Sequence, residues 1–359
     1  MLAGQLDMSN AIVEKSFGHL LKHVSHAVAK ETLEKYSREW KRWREYCDLV
    51  GQDPMNCPTI LVAFYLASVL ESSHEDEVGV SRFNVARSAI NFFYTCAGKE
   101  SSPTEIPVIV QLAASANKYL TANHLDRSAM SAETLHKILE YHNITSPTCS
   151  LRTLMHLTVF LLMFVGMLRF SDVSVLLVHE DLLKFIYDGD KLLGVLIYIC
   201  KSKTDQTWKG NWVAIGATGK KYCPASMLLR LLQKGGYVTK SDDSDVGPLL
   251  RAVRFAKDGH VLVCKSRPLS ENDPIPSLSY SAFNSNLKQL VAEAGILDPI
   301  TCHSGRIGAA SEFFINADHD VFPLVRKLGR WSAGCTYDDV YARPHLSKYF
   351  ALTSMIWPF

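Results

Sequence analysis

The sequence lacks several features that would assign it quickly to a functional class. Its nine cysteines form no CxxC pair and no regular framework, which argues against a disulfide scaffold and against zinc ligation. No internal repeat is visible. The first residues lack a charged region followed by an apolar core, so we expect no secretion signal. These absences favour an intracellular protein with reduced thiols.

Long apolar runs and a strong charge imbalance are also missing. The longest apolar run, LTVFLLMFVGML at 157–168, has 12 residues, whereas roughly 18 or more are needed to span a bilayer, so it predicts a buried helix. The formal net charge is +2 over 359 residues. If the partner is a nucleic acid, the positive charge must therefore be concentrated locally. The length exceeds that of a usual single domain and predicts two.

The first 120 residues predict a bundle of four or five helices. From about Ala29, apolar residues recur at intervals of three and four, and this helix ends near Gly51. Further helices are predicted at 58–71, at 81–97 with Ser81 as the cap, and at 107–121.

Basic residues lie between the apolar positions of the first helix: Lys35, Arg38, Lys41, Arg42 and Arg44. They form either the solvated face of an amphipathic helix or a face that contacts phosphates, and the pattern allows both interpretations.

The polar stretch 123–130 predicts a linker between domains at 1–122 and 131–359. The second domain mixes helices with a β-hairpin whose strands, at 191–200 and 207–216, are joined by KSKTDQ. A loop-rich insertion is predicted at 236–275. The fold class is therefore mainly α with a small β-sheet (α+β). Helices of the second domain are predicted at about 132–142, 150–168, 223–234, 279–294, 304–317 and 321–329.

Residue types that carry chemistry follow one another along this second domain. The segment CHSGRIGAAS at 302–311 places His303 and Arg306 three residues apart, on one face of a helix, among small residues suited to close packing. The other members of the series are Arg169 in GMLRFSDVSVL with Asp172 three residues on, Lys203 in the hairpin turn, Trp331 in LGRWS and Tyr341 in TYDDVYARP.

Each of these residues alone has an ordinary explanation. Arg169 could cap the C-terminal end of the 150–168 helix, where cations are favoured. Lys203, with Lys201 as its close competitor, could simply solvate a turn. Asp172 could be an acid at a helix N-terminus, and Trp331 could be part of the core.

The ordered series resembles the tyrosine recombinase (phage integrase) family over roughly residues 130–345. The preceding bundle is similar to that family's DNA-clamping core-binding domain. GRWS after HSGRIGAAS is most like the recombinases of eukaryotic mobile elements of the Crypton and DIRS type. The resemblance implies a nuclear site-specific recombinase that integrates or excises a mobile element, acts on double-stranded DNA and assembles as a dimer to tetramer.

The residue types suit transesterification at a phosphodiester. Charge that builds up on the non-bridging oxygens would be offset by Arg169 and Arg306, so no metal or other cofactor is expected. The resemblance implies that Lys203 protonates the departing 5′ oxygen. His303 would hydrogen-bond the phosphate and help to take the nucleophile's proton.

The remaining roles follow from the same resemblance. Trp331 would donate its indole N–H, and Asp172 would orient Arg169 or His303. Tyr341 would be the nucleophile and would form a 3′-phosphotyrosyl link. Tyr337, one helical turn earlier, is the alternative, but Ala342-Arg343 after Tyr341 matches the family's Tyr-x-Arg pattern.

Two other functions fit the same sequence. A domesticated relative would bind DNA without strand exchange, but the complete set of catalytic types disfavours it. A type IB topoisomerase shares the phosphotyrosine chemistry, although that family usually has no histidine at the first position of the His-x-x-Arg box. The apolar segment at 345–359 is either an element exchanged between protomers or one that docks within its own chain.

Overall fold

The computed structural model divides the chain into two compact units, Met1–Asp126 and Arg127–Phe359. Among the residues it describes, no helix is long and apolar enough to cross a membrane. The described residues are 15, 19, 23, 28–99, 101–120, 128–200, 209–237, 247–256, 259–262, 275–316, 322–330 and 346–359.

The first unit is helical throughout its described part. Its α-helices are α1 Lys30–Leu49, α2 Thr59–Glu75, α3 Ser81–Cys96 and α4 Pro107–Tyr119, with a 3₁₀ turn at Pro103–Glu105. The predicted apolar stripe of α1 faces the core, where Trp43 and Cys47 are fully buried. The prediction that Ser81 caps α3 is wrong: Val80 is the N-cap and provides no side-chain hydrogen bond, and Ser81 is the first helical residue.

The second unit combines helices with two small antiparallel sheets. Its α-helices are α5 Ala132–Tyr141, α6 Leu151–Val165, α7 Phe170–Val173, α8 Pro224–Gly235, α9 Tyr280–Glu293, α10 Cys302–Asn316, α11 Phe322–Gly329 and α12 Leu346–Ile356. Its strands are β1 Leu183–Asp188, β2 Lys191–Ile199, β3 Asn211–Gly216, β4 Val253–Ala256 and β5 Gly259–Leu262.

Helix α6 forms the centre of this unit. Every residue from Leu154 to Val165 is buried, as the apolar run in the sequence predicts. Side chains of α5, α8, α9 and α10 belong to the same core cluster. Because neighbours cover α6 on all sides, its apolar residues are not confined to one face.

The predicted hairpin is present as the antiparallel pair β2–β3, but β1 on the other side of β2 was not predicted. The pair β4–β5 lies within 236–275, where the sequence predicts loops. Each of these two strands has four residues, VRFA and GHVL, and neither alternates strictly between apolar and polar residues.

The C-terminal helix α12 packs against the sheet of its own unit. Gly194 and Gly216 are partners across β2 and β3, and a Cβ on Gly216 would lie 2.3 Å from the Phe350 carbonyl oxygen. The Gly216 N–H donates to the Thr353 hydroxyl at 2.9 Å. The buried Trp357 indole donates to the Tyr222 carbonyl at 2.9 Å. In this structure the segment therefore docks within its own chain.

Candidate active site

The N-terminus of α10 is fixed by reciprocal hydrogen bonds. The Thr301 hydroxyl accepts the His303 N–H at 3.3 Å, and the Ser304 hydroxyl accepts the Thr301 N–H at 3.0 Å. The Asn284 side chain of α9 accepts the Cys302 N–H at 3.0 Å. These bonds satisfy N–H groups that a helix start leaves without partners. They fix the turn that carries His303.

Small residues allow α10 to approach its neighbours closely. A Cβ on Gly308 would lie 1.7 Å from the Met130 carbonyl oxygen, and one on Gly305 would lie 3.2 Å from the Phe160 ring. The close packing predicted from GRIGAAS is therefore present. It holds Arg306, which lies between the two glycines, at a fixed depth in the protein.

Arg306 is buried, with a relative exposure of 6%. Its guanidinium donates to the Met167 carbonyl through Nη1 and to the Gly329 carbonyl through Nη2. Met167 follows α6 and Gly329 ends α11. Arg306 thereby joins two segments that lie 162 residues apart in the sequence.

The turn after α6 presents the Met167 carbonyl to Arg306. The Leu168 N–H donates to the Met163 carbonyl at 3.0 Å, and the Met167 N–H donates to the Phe164 carbonyl at 3.2 Å. This is a Schellman motif with methionine in the left-handed position that glycine usually takes, at φ 48°. Such strain is often found at functional sites.

Arg169 and Asp172 lie just beyond this turn, at the start of α7. The Asp172 carboxylate is fully buried and accepts the Arg169 backbone N–H at 2.7 Å. The Arg169 side chain does not cap α6. Its buried Nη1 has no hydrogen-bond partner in the described part of the chain. The carbonyl just beyond α6 is instead bound by other arginines.

Arg330 is the member of this site that the sequence analysis missed. Its Nη2 donates to the Asp172 carboxylate at 2.6 Å and to the Met167 carbonyl at 3.3 Å. The Asp172 side chain thus contacts the backbone of Arg169 but pairs with the guanidinium of Arg330. From the sequence, Asp172 is expected to orient Arg169 or His303, and the contact that the structure shows is with the Arg169 backbone. No local pattern signals the pair of Asp172 and Arg330, because 158 residues separate its members.

We call Arg169, Arg306, Arg330 and Asp172 the arginine cluster. It holds three guanidiniums against one carboxylate. Burial, together with the positive charges of Arg169 and Arg330, lowers the pKa of Arg306 to about 10. Burial also lowers the pKa of Arg330. Both groups remain charged at neutral pH, so the cluster keeps an excess of positive charge suited to an anion.

The other predicted site residues are only partly covered by the structure. His303 lies one turn before Arg306 on α10, with an exposed side chain. Lys203, Trp331 and Tyr341 lie outside the described residues, and so do the alternatives Lys201 and Tyr337.

The predicted basic residues of α1 are all exposed, and we call Lys35, Arg38, Lys41, Arg42 and Arg44 the basic face of α1. Arg42 pairs with the nearly buried Glu39, and Lys41 lies 3.7 Å from Glu45. A cleft of about 430 Å³ lies between the middle of α1 and the start of α3. Lys35, Arg38 and Arg42 line one side of it, and Arg82 lines the other.

No protein-family model and no curated protein matches the sequence. Solved structures do match. XerH recombinase bound to palindromic difH substrate aligns with a TM-score of 0.53 and 15% identity, over 90% of this chain and 76% of that chain. Tn1549 transposon integrase in complex with circular intermediate DNA aligns with a TM-score of 0.51 and 12% identity, over 91% of this chain and 94% of that chain.

A lambda integrase tetramer bound to a Holliday junction gives a TM-score of 0.50 at 17% identity, over 91% of this chain and 77% of that chain. The fold is that of the tyrosine recombinases. The predicted mainly α fold with a small sheet is therefore confirmed. The chain also matches FLP recombinase structures, of which it spans 65%, 64% and 57% of the length.

Proposed function

We propose that the protein is a site-specific DNA recombinase that cuts and rejoins DNA through a 3′-phosphotyrosyl intermediate. The observation that carries this proposal is the arginine cluster, where excess positive charge is buried on a recombinase fold. Arg169 Nη1 has no partner among the described residues, and Arg306 is held by two carbonyls. A phosphate at this position would supply the anion that the cluster needs.

In the proposed reaction the Tyr341 oxygen attacks the phosphorus, and the bond from phosphorus to the 5′ oxygen breaks. The tyrosine proton passes to His303, and Lys203 gives a proton to the departing 5′ oxygen. Arg169 and Arg306 bind the non-bridging oxygens, and Trp331 adds an indole N–H. The phosphotyrosyl bond conserves the energy of the phosphodiester, so the reverse steps rejoin the strand.

The biological setting belongs to the same proposal. We place the protein at double-stranded target sites of a eukaryotic mobile element in the nucleus, where it integrates or excises DNA as a dimer or tetramer. The basic face of α1 would contact DNA phosphates from the first unit. Segment 346–359, which docks within its own chain here, is the candidate for exchange between protomers.

A covalent adduct tests the chemistry. Nicked duplexes built from DNA that flanks the gene would trap the cleaved strand on the protein, which is then seen as an SDS-resistant complex. Tyr341→Phe should keep DNA affinity and form no adduct, because it lacks the attacking oxygen. Tyr337→Phe is the matched control and should remain competent. Peptide mapping that places the DNA on Tyr337 would overturn the assignment, and no adduct at either tyrosine would overturn the mechanism.

Chelation tests how the charge is offset. Since guanidiniums take the role that metal ions have in other phosphoryl transfer sites, adduct formation should survive excess EDTA. Cleavage that is lost with EDTA and restored by magnesium would contradict the proposed chemistry.

A further inference from the structure

Arg330 occupies an unusual position for an arginine. It follows α11 directly with φ 52°, in the left-handed region, and its side chain is 6% exposed. Of the four described non-glycine residues with positive φ, two, Met167 and Arg330, lie at the arginine cluster. A left-handed arginine carries a conformational cost that glycine would avoid, so its side chain must contribute something in return.

The side chain of Arg330 binds the carboxylate at the centre of the cluster. Asp172 Oδ2 accepts the Arg330 guanidinium at 2.6 Å and the Arg169 backbone N–H at 2.7 Å. Asp172 has no exposed surface. A fully buried carboxylate requires a positive partner, because an uncompensated buried charge is strongly destabilising.

The alternative partners for Asp172 are the two arginines assigned to the phosphate. The charge of Arg306 interacts with the charge of Asp172 and with that of Arg169. If Asp172 paired with the side chain of Arg169, that guanidinium would no longer be available to a non-bridging oxygen. The pair between Asp172 and Arg330 prevents this competition and leaves Arg169 Nη1 without a described partner.

The planar shape of the guanidinium explains why this residue is an arginine. Arg330 Nη2 reaches the Asp172 carboxylate and the Met167 carbonyl together, and Nη1 lies 3.4 Å from the Leu328 carbonyl. A lysine ammonium supplies the same charge but lacks the planar fork that fixes several acceptors at once. The Met167 carbonyl is shared with Arg306, so Arg330 is held against the site.

We propose that Arg330 is a positioning residue which engages the Asp172 carboxylate so that the guanidinium of Arg169 stays free for the phosphate. This inference rests on the proposed function, because it assigns Arg330 a task in the same site. Arg330 acts through Asp172 and does not itself contact DNA.

Rescue by a second substitution tests the proposal in the full-length chain. With saturating nicked DNA, Arg330→Met should slow adduct formation by about tenfold or more, with unchanged DNA affinity. Arg330→Met combined with Asp172→Asn should recover most of the rate, because the competing charge is gone and the amide oxygen still accepts the Arg169 N–H. Arg330→Lys, which keeps the charge that neutralises Asp172 but loses the planar fork, should be slowed less than Arg330→Met.

Arg326→Met is the matched control, since it removes an exposed guanidinium from α11, and it should react like the wild type. The inference is overturned if Arg330→Met reacts at the wild-type rate. It is equally overturned if the double variant stays as slow as Arg330→Met, which is the result that a purely structural role of Arg330 gives. Should Arg330→Met fail to fold, the rates of Arg330→Lys and of the double variant still decide between these outcomes.

Inorganic phosphate separates this inference from the proposed function. Phosphate should raise the thermal unfolding midpoint of the wild type relative to sodium chloride at matched ionic strength. Arg330→Met should lose this increase, and the double variant should regain it. If the wild type forms no adduct but shows this pattern, the proposed function fails while the role of Arg330 stands. If phosphate stabilises the wild type and Arg330→Met equally, the role of Arg330 is refuted.

Discussion

The two concentrations of positive charge in this protein are built in different ways. On the basic face of α1 the cations are exposed, and two of them have acidic partners on the same helix. In the arginine cluster the three guanidiniums are largely enclosed and lie near one carboxylate, which pairs with the guanidinium of Arg330. Exposed charges are screened by salt and tolerate small displacements, whereas buried charges need defined partners. The first arrangement suits contacts along a DNA backbone, and the second suits one phosphate.

His156 adds a third case, a basic group that burial neutralises. It lies in α6, where burial lowers its pKa to about 4. Nδ1 lies 2.7 Å from the Arg152 carbonyl, Nε2 lies 3.1 Å from the Asn286 amide, and the ring stacks on Phe283. Arginine begins from a much higher pKa, so Arg306 stays charged under comparable burial. Arginine is therefore the basic side chain that can carry charge into this core.

The largest expected effect is a loss of DNA cleavage when either of the two guanidiniums proposed to bind the phosphate is removed. Arg169→Ala and Arg306→Ala should each slow adduct formation by about a hundredfold or more, the scale seen when one transition-state donor is removed. Single-turnover rates with saturating nicked DNA provide the measurement. A loss below about tenfold in either variant would contradict the assignment.

Stability should separate these two variants. Arg306→Ala removes donors from two carbonyls and should lower the free energy of unfolding by about 2 kcal/mol or more. Arg169→Ala removes no described side-chain hydrogen bond and relieves repulsion of Arg306, so its stability should be unchanged or slightly higher. Urea unfolding of both variants measures the difference. Equal losses in the free energy of unfolding would contradict the structural role given to the Arg306 hydrogen bonds.

The next effect concerns the neutral His156. Its folded pKa, about 4, lies below the ordinary histidine pKa of 6.5, so the unfolded chain binds more protons between these pH values. The free energy of unfolding should therefore fall as the pH is lowered from 6.5 to 4, by roughly 3 kcal/mol in total for this group. Urea unfolding between pH 6.5 and 4 should show this fall in the free energy of unfolding for the wild type, and the fall should be smaller for His156→Phe. Parallel curves for the two proteins would contradict it.

Substitutions on the basic face of α1 should have smaller effects. Lys35→Gln and Arg38→Gln should each weaken DNA binding severalfold and reduce the slope of log affinity against log salt by about one, because each would remove one of the proposed phosphate contacts. Adduct formation at saturating DNA should not change. Salt titrations of duplex binding measure the slope, and an unchanged slope in both variants would favour the alternative of a solvated face.

The smallest effect is expected for Lys41. Its pair with Glu45 is long and exposed, so Lys41→Gln should change the free energy of unfolding by less than about 0.5 kcal/mol. Because Glu45 offsets the charge of Lys41, Lys41→Gln should affect DNA binding less than Lys35→Gln does. Lys137→Gln is a matched control, since Lys137 forms an exposed i,i+4 pair with Glu133 in the second unit. If Lys41→Gln weakened DNA binding more than Lys35→Gln does, Lys41 would be the more important DNA contact and Glu45 would not offset its charge.

Local periodicity accounts for what could be predicted of the fold. The stripe through Trp43 and Cys47, the continuous apolar run of α6 and the β2–β3 hairpin are regular patterns in neighbouring residues, and all three are present. The strands β4 and β5 were missed because the four residues of each do not alternate strictly between apolar and polar. The Ser81 cap was wrong because the helix begins at Ser81 itself, one residue earlier than a cap at that position requires.

The sequence by itself determined the residue types of the site and their order: arginine and aspartate after the apolar helix, and histidine and arginine on one face of α10. It did not determine which charges pair. Asp172 binds Arg330, and Arg306 spans the carbonyls of Met167 and Gly329. The contacts of Asp172 with Arg330 and of Arg306 with Met167 join segments more than 100 residues apart, which only the packing of α6, α10 and α11 brings together. Chain packing, not spacing in the sequence, therefore decides which guanidinium neutralises the carboxylate and which do not.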